Sequence, residues 1–239
     1  MKKINIGMCV LSFALNAGVL LQANAASLTG YAYGEFSHPI AGYNDLFSIN
    51  NRDLGHSSSS SSVFNWGSAR HTPHGSQFRF DGTASDAHET DFSVRTGTAF
   101  SLGEFTYTNL PTYRSKNVKG VDFRINVNLT DIGWSSFDYS LNIENTPNGG
   151  PNEADYVSLS GAPNDVFFEH AGQSYSLEVL GFTRNNGATF ESYTFANENS
   201  FTSAEVYARV QVVPVPAAVW LFVSGGLVLI SFTKSKRKT

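Results

Sequence analysis

Two histidines, two acidic stretches and two tryptophans are the residues of this chain whose types and spacing invite chemistry. His71 and His74 stand as H-x-x-H with Pro73 between them. Tetrahedral zinc takes three or four ligands, and no third follows at ligand spacing, so no metal centre is expected there. Asp86, His88, Glu89 and Asp91 crowd a second stretch, and Glu153 and Asp155 stand beside the backbone carbonyls of 148–151. Such oxygens suit calcium, but neither spacing is that of an EF-hand loop and both stretches read first as solvated loop faces, so no cofactor is expected and calcium stays the alternative. Glycoside hydrolysis needs two carboxyls about 5 to 10 Å apart across a cleft. With 20 Asp and Glu in the chain, pairs arise by chance and the sequence nominates none. G-x-S-x-G, P-loop and H-E-x-x-H motifs are absent, so no enzyme is expected. Trp134, in a Gly-Trp-Ser stretch read as a turn, is the first candidate to stack on a sugar ring. Trp66 is the second, although its Phe-x-Trp alternation fits a core equally well.

Strands must position these groups. Val121, Phe123, Ile125, Val127 and Leu129 alternate with Asp122, Arg124, Asn126, Asn128 and Thr130, which puts the apolar set on one face of a half-buried strand. Phe137, Tyr139, Leu141 and Ile143 repeat the pattern, and 131–136 is short enough to join the two as an antiparallel hairpin. Further strands are expected at 175–179 and 206–212, with weaker ones at 28–36, 45–49, 63–66, 76–81, 98–107 and 155–160. No capped helical period runs between 26 and 213. The expected fold is all-β: an antiparallel two-sheet β-sandwich, jelly-roll or immunoglobulin-like, built by 26–213 as one domain. The serine run 57–62 is read as a loop, because residues 26–56 are too few for a core of their own. Turn chemistry marks 145–151 as another loop.

Charge divides the chain in three. Lys2 and Lys3 open it, Lys234, Lys236, Arg237 and Lys238 close it, and 26–213 holds ten cations against all 20 acids, a net charge of -10. That field repels phosphate backbones, which excludes nucleic acid as a partner. Cys9 is the sole cysteine, so no intrachain disulfide forms. A basic start, an apolar run from Ile4 to Leu21, and small residues at Ala23 and Ala25 make a secretory signal peptide, cut after Ala25 by signal peptidase. At the other end, Ala217 to Phe232 carries no charge. A transmembrane helix over about 216–232 is expected, with the basic cluster held in the cytoplasm and 26–213 outside. Proline is tolerated in the first turn of such a helix.

Val213-Pro214-Val215-Pro216, an apolar helix with Trp220 and Gly225-Gly226, and a basic stop together resemble a PEP-CTERM sorting signal, with Val215 where the family carries Glu. The resemblance implies recognition and cleavage by an exosortase, a membrane-embedded cysteine protease-transpeptidase, in bacteria that make exopolysaccharide. Phe64-Asn65-Trp66-Gly67, Ser76 to Gly82, Phe100 to Asn109, Asn145 to Asn148, Asp155-Tyr156-Val157 and Tyr175 to Phe182 resemble landmarks of the choice-of-anchor K domain. That family comprises exported domains joined to various surface-anchoring tails, and it implies no defined activity.

The expectation is an exported, sortase-processed protein of the cell surface or extracellular polymer, structural or adhesive and not catalytic. One alternative is a carbohydrate-binding module for exopolysaccharide, with or without calcium. Another is an exported polysaccharide hydrolase.

Overall fold

A computed structural model describes residues 27–51, 61–68, 75–83, 92–113, 115, 117–146, 154–161 and 165–214. Ala23, Ala25, Val215, Pro216 and the expected helix at 216–232 lie outside the described residues, as do His71, His74, Asp86, His88, Glu89, Asp91, Glu153 and the 148–151 carbonyls. Among the described residues the chain is all strand: β1 (Ser27–Ile40), β2 (Phe47–Asn51), β3 (Ser61–Trp66), β4 (Ser76–Gly82), β5 (Phe92–Arg95), β6 (Ala99–Asn109), β7 (Gly120–Leu129), β8 (Gly133–Glu144), β9 (Ala154–Ser160), β10 (Val166–His170), β11 (Gln173–Thr183), β12 (Tyr193–Asn197) and β13 (Ser200–Val212). They form two antiparallel sheets. The first has the order β12-β9-β8-β7-β1-β5, and the second β10-β11-β13-β6-β4-β3-β2.

Alternation predicted the central strands. β8 buries Ser135, Phe137, Tyr139, Leu141 and Ile143 while the residues between them face water, as the period of two requires. The connection before it is shorter than expected. Ile132 N–H donates to Leu129 O at 2.9 Å, and β8 already begins at Gly133, so Trp134 belongs to a strand and not to a turn. Three strands had no counterpart in the sequence reading: β5, β10 and β12. Each has four or five residues and lies at a sheet edge, where too few alternations occur to register as a pattern.

The inner faces share one aromatic core. Phe36 stacks on Phe123 at 5.1 Å, Phe80 meets Phe123 edge-on at 5.2 Å, and Phe105 packs on Phe182 at 5.2 Å. All five rings are buried, each removing about 150–250 Å² from water. Gly34 makes room for them, since a Cβ there would sit 2.6 Å from both the Phe80 and the Phe123 ring. Gly103, at φ +145°, sits where β6 slips register against β13, and a Cβ there would lie 2.3 Å from Asp81 O.

Register also fixes the two poles. Ser27 pairs with Arg95, Gly97 N–H donates to Val210 O, and Val213 N–H donates to Ser174 O. The starts of β1 and β11, the ends of β5 and β13, and the β7–β8 turn therefore gather at one pole. The far pole holds the ends of β3, β6 and β8 and the starts of β4 and β9. β13 spans most of the distance, about 41 Å at ~3.4 Å per residue over 13 residues.

Candidate functional site

On the outer face of the first sheet, β1, β7 and β8 place three rings together. Register sets Tyr31 opposite Asn128, and Asn128 opposite Trp134. Trp134 meets Tyr31 at 5.4 Å and Tyr33 at 5.5 Å, nearly perpendicular to both, and is still 53% exposed. The sequence Gly30-Tyr31-Ala32-Tyr33-Gly34 reverses the usual arrangement, with small residues inward and aromatic ones outward. Sequence reasoning missed both tyrosines for this reason, although the small inward phase was a readable signal.

Polar side chains lie between the rings and the far pole. Asn128 Nδ2 donates to Tyr31 Oη at 3.3 Å, Asn126 Nδ2 to Glu35 at 3.2 Å, and Ser136 Oγ to Asn126 Oδ1 at 2.6 Å. Arg124 donates to Asp138 at 2.7 Å, and Ser140 Oγ to Asp122 at 2.9 Å. Asp138 holds the Arg124 guanidinium firmly protonated through that hydrogen bond and its charge. A shallow depression of about 350 Å³ lies here, lined by His38, Asp122, Arg124, Asp138, Ser140 and Ser160 among others. Beyond it, Tyr156 packs on Tyr193 at 6.2 Å and on Phe195 at 5.6 Å, with Tyr156 and Tyr193 both exposed. The Arg184 guanidinium lies 4.1 Å from the Phe195 ring centre, a cation–π contact at the edge of this cluster.

Trp66 is corrected as a sugar-stacking candidate. It is 3% exposed and packs against Phe64 at 5.3 Å and Phe78 at 4.6 Å, so its Phe-x-Trp alternation belongs to the core. Trp66 does line a cavity of about 340 Å³ at the far pole, together with Tyr107, Asn109, Thr146, Asp155 and Glu198 among others. Burial, then Asp155 and Glu198, push the Tyr107 phenol far above its usual range. Asp155, one of the calcium candidates, accepts Thr146 N–H at 2.7 Å and Thr146 Oγ1–H at 3.2 Å. It closes the β8–β9 connection. Among the described residues, no group of three or more His, Cys, Asp or Glu could hold a metal ion.

The expected sorting motif begins where β13 leaves the second sheet. Val213 is tied to Ser174 by its N–H, and its carbonyl accepts Gln173 Nε2–H at 3.4 Å, while Pro214 is exposed. Proline has no N–H to extend the ladder, so pairing stops there. No protein-family model matches this chain, and no curated protein matches it.

Proposed function

We propose that this chain is an exported structural or adhesive protein of the cell surface or extracellular polymer matrix, without catalysis. On this reading signal peptidase cuts after Ala25, the helix over about 216–232 holds the chain briefly in the inner membrane, and an exosortase-type protease acts at Val213-Pro214-Val215-Pro216. The β-sandwich then works at the surface or outside the cell. We read it as jelly-roll in kind, because β4, β5, β6 and β7 alternate between the sheets. The observation that carries the proposal is the junction at Val213-Pro214: the ladder ends at an exposed proline on the same pole as Ser27. An anchored domain built this way would extend its far pole about 41 Å outward.

Mass spectrometry of the surface and medium fractions tests it. The expected mature chain starts at Ala26 and ends near residues 213–216. A mature chain retaining 217–239 in a host with an active sortase contradicts the processing step. Carbohydrate binding is the second reading, favoured by the half-exposed Trp134 and its two tyrosine neighbours. Hydrolysis is the weakest: Asp155 closes a connection, and Asp138 pairs with Arg124.

A further inference from the structure

We infer that the outer face of the first sheet is a linear track for an uncharged polysaccharide, running along β8 from the Trp134 cluster to the Tyr156–Tyr193 cluster. The inference rests on the proposed export only in that export brings such a polymer within reach. A sugar ring offers apolar C–H faces and a rim of hydroxyls, so its receptor needs aromatic surface together with fixed donors and acceptors. The strip supplies both. Rings stand at each end, and the outward residues of β8 and its neighbours between them are amides, hydroxyls, carboxylates and the Arg124 guanidinium.

Three observations favour a chain over a single sugar. Glu144 of β8 pairs with Tyr156, so the two aromatic clusters are ten β8 residues apart, about 34 Å at ~3.4 Å each. The depression beside Asp138 and Ser160 lies between them and continues the strip. The polar groups are already bonded to one another across strands, which lowers the ordering cost of binding. The half-buried Asn128 and Asn142 keep capacity to spare, because an Asn amide offers two donors and two lone pairs, whereas Asn126 is buried and only braces its neighbours. Charge selects among polymers. Glu35 and Asp138 lie opposite Arg124, Asp122 stands two residues along β7, and Glu144 stands at the Tyr156 end, with Arg95 and Arg184 at the margins, so an anionic chain is repelled.

The test uses the full chain in mild detergent at ~0.15 M salt, titrated with neutral hexasaccharides of glucose, mannose and N-acetylglucosamine, their disaccharides, and alginate. Tryptophan fluorescence reports binding, and thermal unfolding of each variant checks its fold. At least one hexasaccharide is expected to bind, with its disaccharide about tenfold weaker. Trp134→Ala should weaken the hexasaccharide about tenfold or more, read by calorimetry in that variant. Tyr156→Ala with Tyr193→Ala should weaken the hexasaccharide and leave the disaccharide unchanged. No binding by any neutral hexasaccharide, retention by folded Trp134→Ala, equal affinity for both lengths, or preference for alginate would each overturn the track. Failure here leaves the mature-chain masses unaffected, so the two proposals fail separately.

Discussion

Trp66 and Trp134 stand at strand positions of similar local composition, one in Phe-Asn-Trp-Gly and the other in Gly-Trp-Ser. The first is sealed between Phe64, Phe78 and Tyr107 in the core, and the second stands on the opposite surface of the partner sheet beside two tyrosines. The difference lies in the phase of the strand, not in the residue. An inward ring stabilises the fold through area removed from water, at roughly 25 cal/mol per Å². An outward ring contributes little to stability and leaves half its surface available to a ligand. Core and outer face should therefore respond oppositely to substitution, in stability and in binding.

Phe123→Ala attacks the core side of that contrast most strongly. Phe123 touches Phe36, Phe80 and Phe105 and is fully buried, so a loss of about 3–5 kcal/mol is expected in chemical denaturation. A loss below about 1 kcal/mol would mean that the two inner faces are not packed as described. Gly34→Ala comes next. The added methyl meets two rings at 2.6 Å, and overpacking of this kind costs about 1–3 kcal/mol.

Tyr139→Phe sharpens the comparison within one strand, since Tyr139 is the inward neighbour of the outward Asp138 and Ser140. Its hydroxyl is buried and has no hydrogen-bond partner among the described residues, so removing it should stabilise the fold by about 1 kcal/mol. The same variant predicts a pH effect. Burial raises the Tyr139 phenol above its ordinary value of 10.0, so the folded chain keeps this proton where the unfolded chain has lost it. The resulting stability is complete below about pH 10 and declines as pH rises further, and Tyr139→Phe should make that decline shallower in alkaline unfolding curves. Trp134→Ala should have the smallest effect on stability, below about 1 kcal/mol, since it removes only half-exposed cross-strand contacts. It is the substitution with the largest expected effect on glycan binding.

The long central strands were legible because period two persists through five inward residues in each of β7 and β8. The edge strands β5, β10 and β12 were not, because four or five residues of mixed character show no period. At the site, Trp134 was legible by type and misplaced by local context: Gly133 and Ser135 read as turn residues, while the ladder runs through both. Tyr31, Tyr33, Tyr156 and Tyr193 were hidden because an aromatic residue in a strand is ordinarily assigned to the core. The small residues alternating with Tyr31 and Tyr33 hint at the phase, and pairing with β7, β8 and β9 fixes which face meets water. The cluster around Tyr107, Asp155 and Glu198 unites β6, β9 and the β12–β13 turn, and no sequence spacing connects those three.

Export of residues 27–214 is the claim on which the surface role depends, and a membrane-impermeant maleimide tests it directly. Cys9 lies in the expected signal peptide, so Asp131→Cys in the exposed β7–β8 turn would give the mature chain a single thiol. The account predicts labelling of that thiol on intact cells, and labelling only after lysis would contradict it.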